Sequence, residues 1–411
     1  MTFSRRDFLA CGSGIAVGAA LPHVFQQAAL AAPKADRPGG SETVLVVIQL
    51  TGGNDGLNTV IPYRDPAYRA ARPKLKQSSA TVRKINRDLG LHSAMQGFAT
   101  LLEDNRLAIV QGVGYPNSNR SHFESMDIWH KATRSKSQRF GWLGRALPRL
   151  GGPAAAMHVG DGEGPLALFS ATGHAPQMKS LKDYQLRVGT GRFAEGKRRL
   201  IERLAEDGKP GGASRNGLLE LVKKSAQQTY QSSRRMQKVA KDRKGKDAAG
   251  YPATGLGNRL KLIGKLIGAG VPERIFYTSL DGFDTHAAQA ATHPKLLKEL
   301  SDAVAAFHKD VKAAGQHKRV LVMTFSEFGR RVRENGSEGT DHGAGSQMFF
   351  IGETVKPGPL GKHPSLTDLS RGDLKFHTDF RSVYATVLQR WLKVEPGPVL
   401  GKKYPPVPLF A

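Results

Sequence analysis

The sequence predicts an α/β protein built on a large, mostly parallel sheet sandwiched between helices. Three observations carry that reading. The apolar runs VLVVIQL (44–50), LAIVQG (107–112), IFYTSL (275–280) and VLVMTF (320–325) have the length and composition of strands buried on both faces. Each stops abruptly in polar residues, which is how open α/β sheets present chemistry at strand carboxyl ends. Between the last two runs, Leu296, Leu297, Leu300, Val304, Phe307 and Val311 recur at helical spacing over 294–314, so strand, helix and strand follow one another.

The chain has 411 residues, 39% of them hydrophobic, which is ample for a core. Residues 4–9, SRRDFL, are followed by a small and apolar run over 10–21 and by Ala29-Leu30-Ala31. Arg-Arg, a weak apolar core and an A-x-A site in that order predict a twin-arginine export signal over 1–31 and a mature protein in the periplasm or beyond. That core is too short for a permanent transmembrane helix, and no later stretch is long enough. Cys11 is the only cysteine and falls in this segment, so disulfides and cysteine ligands are excluded from the mature chain. A Pro/Gly/Lys linker spans 32–42, and 43–411 reads as one domain without internal repeats.

The net charge is +26, and removal of the signal takes two arginines and one aspartate, leaving +25. Such a balance suits anionic ligands or envelope surfaces, although a solvated basic exterior is the plainer account of it. Much of the excess lies in a basic helical insertion at about 190–250, with 218–241 its longest helix candidate. No nucleic-acid motif accompanies it, which argues against that partner.

The strand ends supply the candidate site. The first strand runs into TGGNDGLN, where Asp55 is either a site acid or an Asx-turn residue. The loop after 107–112 carries Ser118, Arg120, Ser121 and His122; these face a ligand or serve turns, and Ser121 with Glu124 fits a capping box for a helix through Trp129. After 275–280 comes DGFDTHAAQ, with Asp281 and His286, an oxygen and imidazole set suited to zinc or manganese. The stretch 320–352 reads as a buried strand, a polar loop with Glu327, Arg330, Arg331, Asp341 and His342, and a second strand at 348–351. A right-handed parallel crossover would place the ends after Leu280 and Phe325 side by side at a sheet edge, gathering Asp281, His286, Glu327 and His342. The helix 260–267 and the amphipathic helix 379–392 complete the reading.

The signal, VVIQLTGGNDGLN, YPNSNRSHFESMDIW, DGFDTH, SEFGRRVRENGSEGTDHG and DFRSVYATVLQRWL together resemble the exported bacterial domain-of-unknown-function family 1501 over nearly the whole chain. That family is grouped with the alkaline phosphatase and sulfatase superfamily, so the resemblance implies its fold and a two-metal site at the strand ends. Laid on this sequence, it implies Asp55 as the first acid, Ser118 as nucleophile four residues before His122, and Asp281, His286 and His342 around the first metal. The second-metal box is altered: Glu327 stands in place of Asp and Phe328 in place of His, and phenylalanine cannot ligate a metal. A rival register uses Asp341-His342 with His363 or His377.

The expectation is therefore a metal-dependent esterase for a phosphate or sulfate ester, working with one divalent ion, zinc or manganese, while Arg120 or Arg330 forks onto the anion. The alternatives are a non-catalytic exported protein of the same fold that binds an anionic envelope component or partner, and plain electrostatic binding through 197–246. The resemblance also implies a companion exported protein.

Overall fold

The computed structural model describes residues 42–173, 175–180 and 249–411. The export signal, all but the last residue of the linker and the basic segment, including the helix expected over 218–241, lie outside the described residues.

The main sheet is assembled from β1 (Val44–Thr51), β2 (Leu107–Gly114), β3 (Ala156–Val159), β4 (Gln177–Met178), β5 (Ile275–Asp281), β6 (Val320–Phe325), β7 (Ser346–Ile351), β8 (Gly358–Leu360) and β9 (Thr378–Asp379). Its order is β8-β2-β7-β6-β1-β5-β3-β4, with β9 beside β2. Every pairing is parallel except those of β7, which runs antiparallel to β2 and β6. The expected sheet is thus present, in mixed form.

One topological expectation needs correction. The ends of β5 and β6 are not adjacent and not at an edge, because β1 lies between them, with Thr51 beside Asp281 and Gln49 beside Phe325. The physical reason is the apolarity of β1, which demands neighbours on both edges and cover on both faces.

That cover alternates along the strand. Val44, Val46 and Ile48 face α2 (Gln96–Glu103), α5 (Gly255–Gly268) and α6 (Gln289–Ala313); the short α1 (Pro66–Ala71) precedes them, and two helices of the opposite layer fall between α2 and α5. Leu45 and Val47 face that layer, α3 (His122–Lys131) and α4 (Trp142–Leu150), together with α7 (Phe380–Thr386) and α8 (Pro396–Leu400). Each fully buried aliphatic or aromatic side chain contributes about 1.5–3 kcal/mol, and on the second face Trp129 stacks on Phe380 at 4.3 Å and Trp142 on Tyr384 at 4.0 Å. The sequence underestimates α5 and α6, and it misses that α7 passes into a π-helical turn over Val387–Leu392. Ser121 occupies the N-cap of α3, but its side chain makes no capping bond, so the expected capping box is absent.

Candidate metal centre

The polar loop after β6 closes on itself. Gly329 N–H donates to the Ala344 carbonyl at 3.1 Å, Gly343 N–H to Gly329 at 2.8 Å, and Arg331 N–H to Asp341 at 3.0 Å. This zipper brings the near end of the loop, Glu327 to Arg330, against its far end at His342, over the carboxyl ends of β1 and β5. Two glycines make the approach possible. A Cβ on Gly52 (φ +118°) would lie 2.3 Å from the Asp284 nitrogen, and one on Gly53 (φ +74°) 2.3 Å from the Phe328 ring.

One ligand atom from each of His122, Asp284 and His342 falls within 4.8 Å of the others. The first residue of α3 supplies His122. Asp284 follows β5 through a turn in which Gly282 takes φ +105° and Phe283 is fully buried. His342 Nε2 is 3.1 Å from Asp284 Oδ1, and His122 Nε2 is 3.4 Å from Asp284 Oδ2. His286 joins them, its Nε2 2.8 Å from His342 Nε2 and 3.2 Å from Asp284 Oδ1.

The far sides of these rings set their tautomers. His342 Nδ1 lies 2.8 Å from the Arg120 carbonyl, which can only accept, so Nδ1 carries the hydrogen and the neutral ring turns the Nε2 lone pair to the cluster. His122 Nδ1 is 2.8 Å from Glu327 Oε1 and is held the same way. His286 Nδ1 faces Asp341 at 3.5 Å. The other end of the His122 ring, Nε2, is buried and has no hydrogen-bond partner. An imidazole backed by a carboxylate, with an unused lone pair aimed at another imidazole and a carboxylate, is the arrangement that metal ligands adopt. The residues present fit a divalent cation. Nitrogen and oxygen donors without sulfur suit zinc or manganese.

Electrostatics hold the set in place. Burial by itself would raise the Asp284 pKa, but the hydrogen bond and the positive charge of Arg330 hold it down to about 2. The bond to Glu327 raises the His122 pKa, opposed by desolvation, whereas desolvation lowers that of His342. Phe328, 1% exposed, backs both rings at centroid distances of 4.9 and 4.6 Å and closes one side of the cluster with hydrocarbon.

The residues singled out in the sequence are distributed unevenly. His286 and His342 stand in the cluster, whereas Asp281, the last residue of β5, is exposed, and Asp284 is the carboxylate there instead. Both Glu327 oxygens are engaged, Oε1 by His122 and by Gly52 N–H at 2.9 Å, Oε2 by the Ser326 hydroxyl at 3.1 Å, so it fixes the His122 ring from behind. Asp55 is fully buried away from the cluster, paired with Arg72 and bonded by the Gln289 amide, so it has no freedom to ligate. The Arg330 guanidinium is buried and donates to the carbonyls of Gly52, Gly53, Phe283 and Thr340 and to Asp284, which leaves it inaccessible to a substrate. Arg120 forks onto Asp373 and is half-buried. Ser118 is half-buried and makes no hydrogen bond to any cluster residue. His363 and His377 are elsewhere. Sequence reasoning missed Asp284, took His122 only as a residue that could face a ligand, and took Glu327 for a metal residue where it holds the His122 ring. The DGFDTH box held the first signal in its second acid.

A mixed sheet between two helix layers, with histidines and a carboxylate at its strand ends, makes this an α/β protein with a polar cluster over its central strands. The chain belongs to the family described as "Protein of unknown function (DUF1501)", whose model matches residues 42–395. Similar solved structures include the C-terminal periplasmic domain of EcEptC from Escherichia coli in complex with Zn, 11% identical, covering 78% of this chain and 75% of that one at a TM-score of 0.39. The lipoteichoic acid synthase LtaP from Listeria monocytogenes is 8% identical, covering 92% and 80% at 0.37. The PsFucS1 sulfatase from Pseudoalteromonas sp. is 11% identical, covering 84% and 70% at 0.35. No curated protein matches the chain.

Proposed function

We propose that this is an exported, single-metal hydrolase of phosphate or sulfate esters, with His122, Asp284 and His342 holding the cation and His286 beside them. The observation that carries it is the orphaned Nε2 of His122, buried and turned toward the other ligand atoms. A divalent cation bound there would supply Lewis-acid charge to an ester oxygen. The chain's own residues do the rest. Glu327 and the Arg120 carbonyl fix the two imidazoles, and Arg330 fixes the carboxylate from behind as a permanent positive charge. Phe328, which the resemblance aligns with a further imidazole, packs its ring on His122 and His342 and keeps water off one side, so one cation is expected rather than two.

Export rests on the N-terminal SRRDFL segment and its A-x-A site. Among the described residues no helix is long and apolar enough to cross a membrane. The partner is an anionic small molecule or envelope component, and the basic charge favours its approach. A non-catalytic binding protein of the same fold is the second reading, favoured by one observation: the serine at the nucleophile position, Ser118, is not bonded to the cluster.

The test is turnover of 4-nitrophenyl phosphate and 4-nitrophenyl sulfate by protein loaded with zinc or manganese. Activity on one ester, abolished in His342→Ala, supports the hydrolase. Bound metal with no rate on either ester supports the binding protein.

A further inference from the structure

Among the described residues one large apolar side chain stands out in solvent: Phe123, 91% exposed. It is the second residue of α3 and follows His122 directly, so its Cα lies about 3.8 Å from that of a candidate metal ligand. Side chains on a helix lean toward its N-terminus, and the N-terminus of α3 is the end that carries His122 into the cluster. The cluster itself is open to water, with the Asp284 and His286 side chains 48% and 43% exposed. Phe123 therefore emerges at the rim of that opening.

Isolated apolar side chains are common on protein surfaces, so position decides what this one means. The other large apolar side chains among the described residues are at least partly covered, and the exception adjoins the cation site. The polar groups that flank the cluster are already engaged: Glu327 holds His122, buried Arg330 holds Asp284, and Arg120 forks onto Asp373. Phe328 is buried behind the rings, which leaves Phe123 as the apolar surface that an entering molecule meets. Its size also selects the occupant. A phenylalanine buries about 150–250 Å², whereas a stable protein interface takes about 800 Å² from each partner. One ring is too small for a protein and the right size for an acyl chain or an aromatic ring.

On the hydrolase reading, on which this inference rests, we propose that Phe123 is a specificity-determining residue for the alcohol part of the ester. That part is apolar, an acyl chain or an aromatic ring seated on Phe123 while the anionic head meets the cation. A sugar or glycerol ester would turn hydroxyls to the ring and gain little from it.

The test is calorimetry of the zinc- or manganese-loaded mature chain with non-hydrolysable phosphonates and sulfonates, each head group carried on methyl, phenyl and octyl. Octyl or phenyl is expected to bind roughly tenfold more tightly than methyl with the same head, as when about 60 Å² of apolar surface leaves water. Which of the two is preferred separates a chain from a ring. Phe123→Ala should remove most of that preference while methyl affinity, bound metal and melting temperature stay as they were, because so exposed a side chain contributes little packing. Methyl binding without a preference for octyl or phenyl, or a preference that survives Phe123→Ala, overturns the inference and leaves the hydrolase reading standing. Failure of every head group to bind the loaded protein overturns both.

Discussion

Two polar clusters sit at the carboxyl ends of the same strands, both built from histidine and aspartate, yet they differ in completeness. Around Asp55 everything is paired: Arg72 and Gln289 bond its carboxylate, Thr285 and Thr340 bond Gln289, and His293 Nε2 meets Asn54 Oδ1 at 2.9 Å. Around Asp284 the rings are fixed from behind while their inner nitrogens converge, and His122 Nε2 faces Asp284 without a hydrogen-bond partner. The difference teaches that residue type does not mark the site. An anchored ring with an unused lone pair does.

The largest effect expected from breaking this contrast is on stability. Asp55→Asn or Arg72→Leu leaves a buried charge unpaired and should destabilise the fold by about 3–5 kcal/mol in urea unfolding. Metal affinity of the surviving folded protein should change little. His342→Ala should do the reverse, removing bound metal while leaving the midpoint nearly in place. Mixed behaviour, with both variants losing both properties, would merge the two clusters into one structural network.

Next in size is the orienting carboxylate. Glu327→Gln keeps the shape but weakens the grip on His122, and should lower metal affinity by roughly 10–100-fold in a chelator competition. An unchanged affinity would return Glu327 to a purely structural role.

A further effect is on acid stability. Desolvation lowers the pKa of His130 to about 3, and those of His158, His293 and His308 to about 4. The unfolded chain binds those protons more readily, near a pKa of about 6.5. Stability is therefore full above that value and falls as pH drops through it toward the folded values. Asp55, whose pKa is lowered because Arg72 outweighs its desolvation, adds a second loss only below about pH 3.9. Urea midpoints at pH 7.5, 5.5 and 4.5 should decline in that order, and a flat series would contradict the buried neutral histidines.

The smallest expected effect is local: Gly53→Ala forces a side chain into φ +74° against Phe328 and should destabilise by about 1–3 kcal/mol.

The strands were legible because buried parallel strands are written as unbroken apolar runs, and β6 was read to the residue. The position of β1 between β5 and β6 was not, since sequence order does not give spatial order. In the site, His286 and His342 could be read from their motifs. Asp284 could not be preferred over Asp281 without the turn at Gly282 and Phe283, which decides which acid faces inward. The pairing of Arg72 with Asp55 spans 17 residues and that of Glu327 with His122 spans 205, and no helix or strand period links either pair.

Metal analysis of the purified mature protein tests the central claim most directly. The account predicts about one divalent ion per chain, lost in His122→Ala and in His342→Ala with the fold intact by circular dichroism. A wild-type protein that binds no ion when zinc or manganese is supplied, or one that keeps its ion in both variants, would contradict it.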